Sequence, residues 1–201
     1  MGKNVEIKPF YGPPEETLDY VSIKHLVGQF SPVRLPHDEV SESDIRHWCE
    51  VMQDANPLYA DTEYARKSEY GGMIAPPAMV QTWSLGTMKA ALDQFVRGKL
   101  EYPDDPINQV NALLEKAGYT GVMATAQEQT YLKPIRPGDV ISGQIGIVQL
   151  SEYDHFTRQG VSRYYTIMYR FFNQHEEEVS HMTFRVLWYK PPMNTRKLYK
   201  G

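Results

Sequence analysis

Between Ser41 and Gln53 the apolar positions Ile45, Trp48, Cys49 and Met52 recur at i, i+3, i+4 and i+7, with Arg46, His47, Glu50 and Gln53 opposite them. That spacing predicts an amphipathic helix. Ser41 can start it, with Asp44 three residues on as a loose capping box. It should end near Asp54, because Pro57 disfavours helical backbone at Asn56. Asp61 can cap a second short helix over 62–68 that stops at Gly71-Gly72, so 42–69 reads as one helical stretch. From Ala78 to Leu92 the pattern changes, with no clean polar face until Lys89. A helix over about 77–96 that is apolar nearly all round is buried, not laid on a surface. Pro77 suits its first position, where the missing N–H would be an orphan anyway. The run is too short and too interrupted by Gln81, Thr82 and Ser84 to span a bilayer.

Beyond Val122 the period becomes two. Gln127–Tyr131 and Val140–Leu150 read as strands on either side of a turn at Pro134-Ile135-Arg136-Pro137-Gly138-Asp139. Arg163–Asn173 and Ser180–Tyr189 read as a hairpin around Gln174-His175-Glu176-Glu177, rich in β-branched and aromatic residues. Val21–Phe30 can hold a further short strand. Residues 1–20, with Pro9, Pro13 and Pro14, read as an extended arm; 21–191 as one domain; and 192–201 as a solvated tail. Within the domain, 98–121 reads as an insertion, a lid or flank. It carries a short helix at Val110, Leu113, Leu114 and Ala117, with Gly118 as the residue past its end. Helices first and long antiparallel strands afterwards is an α+β order, and one buried helix with one sheet predicts a sheet curled around that helix.

Composition narrows the function classes. The chain has 201 residues, enough for one well-buried core. A net charge of -4 and the lack of a basic stripe interleaved with aromatics argue against nucleic acid. A single cysteine, Cys49, rules out an internal disulfide and suits a reducing cytoplasm. No apolar leader follows Lys3, so a cytoplasmic protein is expected. The six histidines (25, 37, 47, 155, 175, 181) show no ligand spacing with each other or with Cys49.

Three blocks in order carry a resemblance: Asp54-Ala55-Asn56-Pro57-Leu58-Tyr59, then Gly71-Gly72-Met73-Ile74-Ala75-Pro76-Pro77, then 134–139. Together, around a buried helix, they resemble the MaoC-like hydratases and dehydratases of hot-dog fold. The likeness is to the branch named for the dehydratase N-terminal domain of type I fatty acid synthases. It covers about 21–191, loosest at 98–121. The resemblance implies hydration of trans-2-enoyl thioesters, or the reverse dehydration of (R)-3-hydroxyacyl thioesters, on CoA or acyl carrier protein. It implies no metal and no organic cofactor. In such a site a carboxylate and an imidazole hold one water, an asparagine orients the imidazole, and a backbone N–H at the helix start polarises the thioester carbonyl.

Carried over by position, Asp54 and Asn56 match the family's aspartate and asparagine, whereas Tyr59 stands where the family has histidine. A phenol with an ordinary pKa of about 10 is a poor base at neutral pH. Pro76-Pro77 replaces the His-Gly pair at the helix start, and proline has no N–H to give. By the same resemblance, Gly72, Ile74, Ala75 and Pro76 are expected to bind substrate. Met79 and Trp83 either line an acyl tunnel or pack as core. Asp54 and Asn56 can equally serve the local turn. Both departures fall in one chain, which resembles the degraded-motif subunit of heteromeric hydratases. The expected partner is a second MaoC-like subunit with intact Asp and His. The alternatives are a self-sufficient homodimer using Asp54 with Tyr59, and a non-catalytic acyl-thioester binding module.

Overall fold

A computed structural model describes residues 18–84, 89, 92, 93, 96 and 105–191. In chain order its helices are α1 (Tyr20–Ile23), α2 (Glu42–Met52), α3 (Pro57–Ala60), α4 (Thr62–Lys67), α5 (Val80–Ser84) and α6 (Pro106–Lys116). The strands are β1 (Gly121–Tyr131), β2 (Ser142–Leu150), β3 (His155–Thr157), β4 (Gly160–Phe172) and β5 (Glu178–Lys190). They form one antiparallel sheet in the order β1-β5-β4-β2, with β3 also paired to β4. The β4–β5 hairpin closes through Asn173, whose side-chain oxygen accepts from the backbone N–H of His175 and Glu177, each at 3.0 Å.

The two edges of the sheet differ. Beyond β2, the segment 27–34 makes isolated bridges at Val27↔Ile147, Phe30↔Gly146 and Arg34↔Gly143. Gly146 permits this cover, since a Cβ there would fall 2.5 Å from the Phe30 ring. The expected strand at Val21–Phe30 is therefore a helical turn followed by single bridges. Asp19 caps α1 by accepting from the Val21 N–H at 3.0 Å, which commits those residues to a turn. At the other edge, β1 has no strand beyond it among the described residues. It is longer than expected and nearly all exposed on both faces, Val122 at 56% and Met123 at 40%.

The core divides into two clusters. Ile45 and Cys49 of α2 meet Met79, Val80 and Trp83 over Phe171 and Met182. Ile23, Leu26 and the α6 residues Val110 and Leu114 lie over Ile147, Tyr165, Val186 and Trp188. Along the expected 77–96 helix, Met79, Val80 and Trp83 are buried and Thr82 is exposed, while 85–88, 90, 91, 94 and 95 lie outside the described residues. Lys89, Leu92, Asp93 and Val96 are helical, but Leu92 is 52% and Val96 73% exposed. The described part of the 98–121 segment is not a lid, because α6 supplies a fully buried face to the core. Gly118 past its end adopts φ 86° as expected, whereas its start lies earlier than expected: Asp105 accepts from the Ile107 N–H at 2.8 Å and Pro106 takes the first turn.

Leu114→Ala should therefore cost about 2–5 kcal/mol of stability in urea unfolding, as for a core leucine. Glu115→Ala, one residue along on the outer face, should stay within about 0.5 kcal/mol. Equal small effects would mean that α6 is peripheral.

Candidate active site

Asp54 is placed by the end of α2. Gln53 turns left-handed at φ 54°, and the Asp54 N–H returns to the Cys49 carbonyl at 2.9 Å. α2 therefore stops at Met52, started as expected by Ser41, whose hydroxyl accepts from the Asp44 N–H at 3.1 Å. The Asp54 carboxylate then accepts from the Asn56 N–H at 3.1 Å, and the Asn56 side-chain oxygen accepts from the Leu58 N–H at 3.1 Å. Asn56 so caps α3, with Pro57 in its first turn. Both side chains carry the local turn, whatever else they do.

Tyr59 rides on α3 and comes to the same wall as Asp54. Burial pushes its phenol above the ordinary value, and the Asp54 carboxylate pushes it further the same way. At neutral pH it stays protonated, a hydrogen-bond donor and not a base. Burial, then Asp54, likewise pushes the Cys49 thiol up, away from the reactive thiolate.

The second block is strapped down by its backbone. The Ile74 N–H donates to Leu58 O at 3.3 Å and the Ala75 N–H to Ile135 O at 2.7 Å. Arg136 donates to Tyr70 O at 2.6 Å and lies beside Gly72, while its own N–H is held by Asp139 at 2.7 Å. The 134–139 turn thus fastens the loop leading into α5. With Ile74 and Ala75 engaged and prolines at 76 and 77, the helix entrance has no N–H to present before Ala78.

Residues 53–59 form a ridge between two open concavities. One, of about 570 Å³, takes Trp48, Met52, Asp54, Tyr59, Pro76 and Tyr131 into its wall. The other, of about 610 Å³, lies on the far side against Arg46, Cys49, Glu50 and Met73. The first meets the start of α5 and joins three of the residues singled out from sequence, Asp54, Tyr59 and Pro76. Asn56 lies outside that lining; it caps α3, and a side-chain hydrogen bond from it also reaches the Tyr59 phenol and draws its pKa down, against burial and Asp54. Ile74, Ala75, Met79 and Trp83 are buried in the core, and Gly72 lies beneath Arg136. The Trp83 indole N–H is buried with no hydrogen-bond partner among the described residues.

Trp48, Met52 and Tyr131 were not anticipated as lining residues. The first two sit on the apolar stripe of α2, which reads as core; at its last turn the stripe passes the core and faces the cavity. Tyr131 arrives through strand pairing, opposite Ser180, which no local pattern announces. No histidine lines either concavity, and no three of His, Cys, Asp or Glu among the described residues converge as a metal site would require.

Comparison with known proteins agrees with this architecture. The family model for the FAS1-like dehydratase domain region matches residues 26–182. The chain is 34% identical over 169 residues to a Mycobacterium tuberculosis protein named 3-oxo-4,17-pregnadiene-20-carboxyl-CoA hydratase alpha subunit, covering 80% of this chain and 48% of the relative. It is 32% identical over 158 residues to a probable enoyl-CoA hydratase alpha subunit of Thermomonospora curvata, covering 79% and 47%. The chain therefore spans about half the length of the curated relatives it matches. Among solved structures, the ChsH1-ChsH2 complex of M. tuberculosis contains a chain superposing with a TM-score of 0.74 at 31% identity, over 86% of this chain and 90% of that one. With its helices against an antiparallel sheet and the loop of Asp54 and Tyr59 at the entrance to α5, the chain belongs to the FAS1-like dehydratase-region family, of MaoC-like hot-dog fold.

Proposed function

We propose that this chain is one subunit of an (R)-specific trans-2-enoyl-CoA hydratase, or of the corresponding 3-hydroxyacyl-thioester dehydratase, and that it shapes the acyl site for a partner carrying an intact Asp/His pair. One observation carries the proposal: the Asp54 cavity holds a carboxylate and a neutral phenol, yet no imidazole, at a helix entrance where Pro76 and Pro77 have no N–H to give. Hydration delivers hydroxide to Cβ and a proton to Cα, and the thioester oxygen gathers charge on the way. A base that can take and return a proton near neutral pH and a donor aimed at that oxygen are both required. Asp54 and Tyr59 can bind and orient a polar group. Tyr59 cannot exchange protons at neutral pH.

The relatives named as alpha subunits, and the two-component complex with its similarly folded chain, favour an assembly of unlike subunits. The exposed edge of β1 favours it too. An eleven-residue edge strand with a single charge, Glu128, and no proline is an aggregation hazard unless another chain covers it. Tyr131, at its end, brings that edge to the Asp54 cavity. No helix among the described residues is long and apolar enough to cross a membrane. A reducing cytoplasm is the compartment that suits one buried, unpaired thiol.

A second reading, a homodimer active by itself, is favoured by Asp54 and Tyr59 sharing one wall. It requires Asp54→Ala to abolish an activity of the purified chain. On the first reading, the chain alone hydrates crotonyl-CoA at least about 100-fold more slowly than the complex purified untagged from its source, the usual loss for a missing acid–base group. Normal rates from the chain alone would end it.

Because the Tyr59 pKa lies above its ordinary value, the phenol stays protonated through the assayable range. Tyr59→Phe should therefore leave both limbs of the complex's pH–rate profile in place; a shifted alkaline limb would make Tyr59 the base. Val122→Lys with Met123→Lys should abolish co-purification of the partner while stability moves by no more than about 0.5 kcal/mol per site, as at exposed positions.

A further inference from the structure

The Asp54 cavity joins an apolar wall, of Trp48, Met52, Pro77 and Tyr131, to the polar side chains of Gln53, Asp54 and Tyr59. Its charge is that of one carboxylate, since none of the described lining residues is Lys, Arg or His. The concavity behind the 53–59 ridge repeats the sign. Glu42, Glu50 and Asp54 line it, and the Arg46 guanidinium among them faces Glu50 at 3.7 Å.

The surfaces beside the cavity mouth are negative as well. Residues 42–69, which carry α2, α3 and α4, hold seven acidic side chains against three basic ones. That excess of four negative charges equals the net charge of the whole chain, so the surplus is gathered around the Asp54 loop. On the other flank β1 brings a single charge, Glu128. Arg136 stands behind Gly72, outside the lining, and gives a guanidinium N–H to the Tyr70 carbonyl at 2.6 Å.

A CoA thioester is charged at one end only. Its acyl chain is uncharged and its pantetheine arm offers neutral amides, whereas the nucleotide carries a diphosphate and a 3′-phosphate. Holding those phosphates takes Arg or Lys, or backbone N–H groups at a helix start. Pro76 and Pro77 have no N–H to offer. Carboxylates near the mouth oppose an anion over about 10 Å at 0.1 M salt and about 30 Å at 0.01 M. The neutral end meets no such opposition. Gln53 and the protonated Tyr59 suit amides and carbonyls, and Trp48, Met52 and Tyr131 suit hydrocarbon.

We propose that this chain receives only the acyl-pantetheine part of its ligand, and that the phosphates of a CoA thioester are held by cationic groups of the partner subunit. The inference rests on the acyl-thioester reading above. An acyl carrier protein presents the same pantetheine arm. This chain therefore reads the acyl group without regard to its carrier, and the choice between CoA and a carrier protein lies with the partner.

The test compares hexanoyl-CoA with hexanoyl-pantetheine, which lacks the nucleotide and its phosphates. Ligand-detected NMR titrations are run on the full chain, then on the complex purified untagged from its source, at about 0.01 M and about 0.5 M salt. The full chain should bind hexanoyl-CoA no more tightly than hexanoyl-pantetheine at low salt. At high salt the two affinities should converge to within about twofold, because the flanking carboxylates are screened. The complex should prefer hexanoyl-CoA by about tenfold or more at low salt, as a charge-assisted bond to phosphate allows, and lose most of that preference at high salt. Arg46→Gln, at an exposed position, should leave the ratio for the full chain unchanged. A tenfold preference for hexanoyl-CoA in the chain alone, eroded by salt, would put the phosphates on this chain and overturn the proposal. No preference in the complex would overturn the share given to the partner. Binding of neither probe by the chain would overturn the acyl-thioester reading along with the proposal.

Discussion

Helix α5 lies where it does because position 143 carries no side chain. A methyl group there would press into Ser84 at 2.9 Å, and a close-packed interior has no slack to absorb it without moving the helix. With α5 against β2 and β4, Met79, Val80 and Trp83 close the core over Phe171 and Met182. The start of α5 is thereby brought to the end of α2. The bond from the Ala75 N–H to Ile135 O fixes the approach from the other side, so the loop of Asp54 and the entrance of α5 meet across one cavity. Each concavity near α5 follows from that single contact between helix and strand.

The two edges of the sheet answer different needs. Segment 27–34 closes the β2 edge with the chain's own backbone, and Gly146 gives it room. At β1 no such cover exists among the described residues, and the strand's side chains are exposed on both faces. A sheet that spends a segment on guarding one edge and leaves the other bare has a use for the bare one. The second core cluster explains why the fold tolerates this: α1 and α6 cover Tyr165, Val186 and Trp188, so the sheet is anchored without help at β1.

Much of this was legible in sequence where short-range chemistry decides the outcome. The Ser41 cap and the left-handed Gly118 are local events, and each is found as the residue types predict. The Asp54–Tyr59 loop was legible as a site because its blocks resemble a family's. One misreading is local and the others are long-range. Val21–Phe30 has strand-like residues, but the Asp19 cap and single bridges to β2 take them elsewhere. The apolar run to Leu92 looks buried throughout, yet Leu92 is exposed, and the second core cluster over Tyr165 and Trp188 is covered by α6. The place of Tyr131 in the cavity wall depends on strand register, which alternation alone does not specify.

The two departures at the Asp54 site are physically linked. A general base is useful only while a thioester is polarised beside it, and a polarising N–H only while a base stands ready. Loss of either removes most of the value of the other. Tyr59 and Pro76-Pro77 therefore form a consistent set: a polar wall of fixed geometry whose phenol beside Asp54 is held protonated, at a helix entrance that prolines make rigid. What such a wall retains is shape and hydrogen-bonding direction, and those are the properties needed by a subunit that receives an acyl chain while another carries out the proton transfers.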